Sequence, residues 1–141
     1  MDARITLVTL GVADLPRAEA FYGRLGWVPS GQSQEGVRFY QMNGLVLALF
    51  GLADLAADQG RPDARLGTGA MTLAQNHPDI AAVDRAWEAA MAAGATPLKP
   101  PAAVAWGGYS GYFADPDGHV WELAMNPFWP LSPDGGLTLP N

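Results

Sequence analysis

The chain has 141 residues, 49% of them hydrophobic, which suits one domain or two small joined modules with a sizeable core. It has no cysteine, which excludes disulfides, thiolate metal sites and cysteine nucleophiles. Its net charge of −6, with no basic patch beside the 5 Trp, argues against nucleic acid or an anionic membrane surface as partner. The longest apolar run, residues 45–50, is far too short to span a bilayer. No basic-then-apolar leader pattern opens the chain, and the expected compartment is the cytoplasm.

The first predicted element is a buried strand over residues 4–12 (Ile5, Leu7, Val8, Leu10, Val12). Asp14 is a good helix cap, Pro16 is tolerated in a first turn, and Leu15, Ala18, Phe21, Tyr22 and Leu25 recur at helical spacing. Gly26 stops that helix, and residues 27–30 read as a short strand. A polar turn over 31–36 leads to a hairpin of strands 37–42 and 45–51 across Asn43-Gly44, a strong hairpin signal. Residues 52–69 connect, opening with a short helix over 52–57.

The pattern then starts over. A strand over 69–76 is followed by a helix opened by Pro78 and Asp79, with Ile80, Val83, Trp87, Ala90 and Met91 on one face and Gly94 as its stop. A short strand over 96–99 ends at Pro100-Pro101. Strands 109–114 and 120–125 then meet at Asp115-Pro116-Asp117-Gly118, whose residue preferences are those of a type I turn. Both halves therefore read β-α-β-β-β, a repeat of element order rather than of residue identity. The expected organisation is a first module over 1–58, a linker over 59–68, a second module over 69–126 and an irregular tail over 127–141. Phe128 and Trp129 in that tail are expected to pack onto the domain or onto a partner chain.

Glu122 is the anomaly of the last strand. It is a carboxylate among apolar residues, and a buried charge is costly unless it is paired, bound to metal or protonated.

The duplication, the segment Asp14-Leu15…Phe21-Tyr22…Leu25-Gly26-Trp27 and the ending Asp115-Pro116-Asp117-Gly118-His119-Val120-Trp121-Glu122 resemble the vicinal oxygen chelate superfamily. That superfamily includes glyoxalase I, bleomycin-resistance proteins, fosfomycin-resistance enzymes and extradiol dioxygenases. The resemblance covers residues 4–126 and implies an α+β fold of two βαβββ modules forming a curled, half-barrel mixed sheet. It is informative for fold and poor for function, because one scaffold hosts many chemistries. In metal-dependent members, four ligands lie on inward-facing strand positions, two per module. Here those positions fall on Leu7, Ala48, Met71 and Glu122, and only Glu122 is a ligand type. Gln75 is the one plausible replacement donor nearby. His119, three residues from Glu122, points to the opposite face of a regular strand, and His77 reads, with Asp79, as a solvated helix-entry residue. One carboxylate and one amide fall short of a catalytic metal site, so no metal or other cofactor is expected.

The ligand-binding candidates are Glu122, Tyr112, Tyr109, Trp106, Gln75 and Phe39. Trp106, Tyr109 and Tyr112 alternate with Gly107, Gly108 and Gly111, a composition that lets backbone approach a ligand beneath aromatic faces. Ordinary strand packing explains each of them equally well. Tyr109 and Tyr112 lie on opposite faces of a regular strand, so both line one cavity only if Gly111 allows a bulge. Phe39 and Tyr40 are neighbours in one strand, and which of them faces the cavity stays open. Phe21, Tyr22 and Trp87 sit at helical spacing and read as core.

Three functions remain. The first is a metal-free binding protein, of the bleomycin-resistance kind, for a small neutral or cationic organic molecule oriented by Glu122. The second is a lyase, isomerase or dioxygenase that uses Glu122 with a metal or as a base, a dimer supplying missing ligands. The third is a non-catalytic structural partner subunit. The resemblance also implies a homodimer.

Overall fold

A computed structural model describes residues 1–140; Asn141, the last residue of the expected tail, lies outside the described residues. The chain divides into two compact units, Met1–Gly67 and Thr68–Asn141.

The first unit holds β1 (Leu7–Val12), α1 (Leu15–Arg24), β2 (Val37–Gln41), β3 (Val46–Gly51) and α2 (Leu52–Asp58). Asp14 caps α1 by accepting a hydrogen bond from the Arg17 amide at 2.9 Å, and Pro16 sits in the first turn, where no amide proton is needed. β1 pairs in parallel with β3, and β2 pairs antiparallel with β3, giving the order β1-β3-β2. The hairpin closes as the Asn43-Gly44 signal requires: the Met42 amide donates to the Leu45 carbonyl at 2.9 Å, and Gly44 has a positive φ of 75°.

Strand alternation decides the two faces of this sheet. Leu10, Val12, Leu47, Leu49 and Tyr40 are all buried, and they share the face that α1 covers with Ala18, Phe21 and Tyr22. Tyr22 stacks on Trp27 at 5.1 Å with 15° between the rings, and Tyr40 lies 6.2 Å from both. Arg38, also on the α1 face, reaches Glu19 of α1 at 2.6 Å. The open choice at residues 39 and 40 is thereby decided: Tyr40 enters the core and Phe39, paired with Ala48, lies on the other face.

The strand expected over 27–30 does not form. Pro29 brings no amide proton. The edge of β2 is satisfied by a turn instead: the Ser30 amide donates to the Phe39 carbonyl at 2.7 Å, and Ser33 Oγ accepts from the Phe39 amide at 3.0 Å. The first unit therefore has three strands.

The second unit holds β4 (Thr72–Asn76), α3 (Ile80–Ala93), β5 (Thr96–Ala103), β6 (Tyr109–Ala114) and β7 (Val120–Met125), with strand order β4-β7-β6-β5. As in the first unit, the first and last strands pair in parallel. Asp79 caps α3 through the Ala82 amide at 2.7 Å, and Gly94 ends it at φ 97°. The β6–β7 turn closes with the Gly118 amide on the Asp115 carbonyl at 3.0 Å. Asp115 is only 2% exposed, and its Oδ1 accepts from the amides of Asp117 and His119, each at 2.9 Å. His77 is half-buried rather than solvated. Its amide donates to the Ala124 carbonyl at 2.7 Å, and its buried Nε2 has no hydrogen-bond partner. Burial, with Arg85 adding to it, holds the His77 pKa below its ordinary value.

β5 runs through Pro100 and Pro101 instead of ending before them. It is an edge strand, where a missing donor is tolerated, and it shifts register on each side of Lys99. The bulge presses against Gly111: a Cβ there would lie 2.7 Å from the Pro101 nitrogen and 2.9 Å from the Lys99 carbonyl oxygen. Both are backbone atoms, so Gly111→Ala should destabilise the protein by about 1–3 kcal/mol. The check is the urea midpoint, and an unchanged midpoint would mean that β5 moves aside freely.

Burial and the Glu19 carboxylate push the Tyr40 hydroxyl from 10.0 up to about 12. The unfolded chain ionises this group near 10 and the folded chain does not, so its contribution is complete below that pH and is lost as pH rises through about 12. Alkaline denaturation should accompany a tyrosine ionisation near pH 12 in an absorbance titration. Tyr40→Phe should remove one ionising group from that range; an unchanged titration there in the variant would disprove the assignment.

Candidate functional site

Glu122 lies in the middle of β7, between Ala74 of β4 and Tyr112 of β6. Residues opposite one another on neighbouring strands share a face. The Glu122 face therefore carries Thr72, Ala74 and Asn76 of β4, Ala124 of β7, and Ser110 and Tyr112 of β6. The opposite face carries Leu73, Gln75, Leu123, Phe113 and Tyr109 and is the one against α3.

The sequence candidates separate accordingly. Tyr112 sits opposite Glu122 on this face, and interaction with that carboxylate, with burial second, raises the Tyr112 pKa above its ordinary value. Tyr109 points the other way, and its hydroxyl donates to Asp84 Oδ1 of α3 at 2.8 Å. That bond likewise raises the Tyr109 pKa. β6 pairs with β7 without a register shift, so Gly111 makes no bulge that would bring the two tyrosines together. Gln75, opposite Leu123, lies on the α3 face, away from Glu122. Phe39 belongs to the first unit, on the face shared with Thr9 and Ala48.

Beside Glu122 is a cavity of about 430 Å³. Glu122, Ala124 and Asn76 line it from the sheet, and Trp106, Asn126, Phe128 and Trp129 line it from two loops. Trp106 sits in the β5–β6 loop, which closes with the Gly107 amide on the Val104 carbonyl and the Val104 amide on the Gly108 carbonyl, both at 3.0 Å. Its ring lies directly over Gly108, where a Cβ would overlap the indole, and the Phe128 ring lies 3.4 Å from a Cβ built on Gly107. The second loop follows β7. Asn126 Oδ1 accepts from the Phe128 amide at 2.9 Å, and its carbonyl accepts from the Trp129 amide at 3.2 Å. Trp106, Phe128 and Trp129 remain 48%, 63% and 41% exposed.

Phe128 and Trp129 were legible as residues needing a packing partner, but not as cavity walls. Asn76 and Asn126 carried no signal beyond their position at strand ends. A second cavity, of about 460 Å³, lies in the first unit between α2 and the 62–66 segment. It contains none of the candidates, and its charged side chains, Asp63 and Arg65, are exposed.

The residues around Glu122 do not fit a divalent metal. Its strand partners are Ala74 and Tyr112, and Met71, expected as a ligand position, precedes β4 altogether. Among the described residues no group of three or more His, Asp and Glu is placed to hold an ion. In the first unit, the pair corresponding to Ala74 and Glu122 is Thr9 and Ala48, so the expected position Leu7 also lies off the pairing.

Comparison with known proteins agrees with this architecture. Over 99% of both chains, the protein is 40% identical to a glyoxalase-related enzyme from Fulvimarina pelagi, with a TM-score of 0.89. It is 27% identical to a glyoxalase/bleomycin resistance protein/dioxygenase from Nocardioides, covering 89% of this chain and 84% of that one at a TM-score of 0.73. It is 26% identical to lactoylglutathione lyase from Agrobacterium tumefaciens, covering 91% and 97% at a TM-score of 0.67. No curated protein matches the chain. Residues 4–123 match the family pattern, and the chain belongs to the Glyoxalase/Bleomycin resistance protein/Dioxygenase superfamily.

Proposed function

We propose that the second unit binds a small organic molecule without a metal, in the cavity beside Glu122. The observation that carries this reading is the lone Glu122 carboxylate, opposite Tyr112, in the lining of an aromatic-walled cavity. An apolar lining with few, oriented polar groups is the usual composition of a small-molecule site. The Glu122 carboxylate has acceptor capacity for a ligand's amine or hydroxyl.

A metal-dependent lyase is the second reading. Its support is the likeness to a protein named lactoylglutathione lyase. Against it stands the donor set, which offers Glu122 alone.

The two readings part in one pair of measurements on protein purified without chelator. Elemental analysis should find no stoichiometric metal, and Ni, Mn, Fe and Zn should leave the melting temperature unchanged. A small-molecule library should give hits, since a ligand at a hundred times its Kd adds about 2.7 kcal/mol of stability. Glu122→Gln should fold normally and diminish the shifts of hits that carry an amine. A stoichiometric metal whose stabilisation disappears in Glu122→Gln would establish the lyase-type site instead.

A further inference from the structure

We infer that the ligand of this cavity is an organic ammonium ion, held by the Glu122 carboxylate with its alkyl groups against the rings of Trp106, Phe128 and Trp129. The inference rests on the binding reading above and goes beyond it in assigning a charge and a chemical class. Among the described residues, Glu122 is the one charged residue in the lining, and the remaining polar side chains, Asn76 and Asn126, are neutral. Among them no Lys, Arg or His lines the cavity to neutralise the carboxylate or to welcome an anion.

The walls supply the second half of the argument. An aromatic face carries negative electrostatic potential, so a cation over it is attracted without a hydrogen bond. Three aromatic residues line the cavity, one from the β5–β6 loop and two from the turn after β7. All three keep substantial surface exposed, a cost that a ligand covering them would relieve. The net charge of −6 adds a long-range preference for cations. A substituted ammonium suits this arrangement better than a metal ion, because it needs one carboxylate and several apolar faces rather than three or four donors.

The test titrates the intact protein with choline, with its uncharged carbon isostere dimethylbutanol and with the anion dimethylbutanoate, followed by tryptophan fluorescence and calorimetry. Choline should bind about tenfold more tightly than dimethylbutanol, and dimethylbutanoate should not bind. Glu122→Gln should weaken choline about tenfold and leave dimethylbutanol unchanged, and Trp129→Leu should weaken choline by a similar factor. The comparison of the three probes on the parent protein stands even if a variant fails to fold. Equal affinity for choline and dimethylbutanol, both indifferent to Glu122→Gln, would overturn the cation assignment while leaving small-molecule binding intact. Choline binding untouched by both substitutions would place the cation elsewhere and overturn it too. Silence of all three probes would overturn it as well; the library screen then decides the broader reading separately.

Discussion

A carboxylate in the central strand of a sheet depends on what its neighbouring strands bring opposite it. Glu122, half-exposed, sits between Ala74 and Tyr112, and of these two Tyr112 alone carries a side-chain donor. The antiparallel register of β6 on β7 is what delivers the phenol, since a shift by one residue would send Tyr112 to the α3 face and bring up Gly111 or Phe113.

The cavity beside that pair depends on where side chains are missing as much as on where they are present. Gly108 leaves the space that the Trp106 indole occupies, and Gly107 leaves room for the Phe128 ring. Gly111 serves the sheet instead, admitting the bulged β5 with its two prolines. The same glycines that suggested close approach of a ligand thus accommodate the protein's own rings and prolines.

The two units share a rule and differ in execution. In each, the first strand pairs in parallel with the last, and one face is covered by the intervening helix. In the second unit the remaining face keeps Glu122, Asn76 and two aromatic loops. In the first unit the corresponding pair is Thr9 and Ala48, and Leu52 and Leu55 of α2 pack close to Gly11. Of these corresponding strand positions, Glu122 alone carries a carboxylate.

Much of this was legible in the residues because it is local. Caps at Asp14 and Asp79, stops at Gly26 and Gly94, the Asn43-Gly44 hairpin, the 115–118 turn and the prominence of Glu122 all follow from interactions within a few residues. Alternation also implied that Tyr109 and Tyr112 part company. What the sequence could not decide was pairing across distance. Which of Phe39 and Tyr40 is buried depends on the side from which α1 packs. Whether residues 27–30 form a strand depends on Ser30 and Ser33 reaching Phe39 first. That Gln75 misses Glu122, while Trp106, Phe128 and Trp129 gather beside it, depends on strand register and on loops far apart in the chain. Local chemistry specifies the elements; only the closing of long-range contacts selects their faces, and the site is a property of one face.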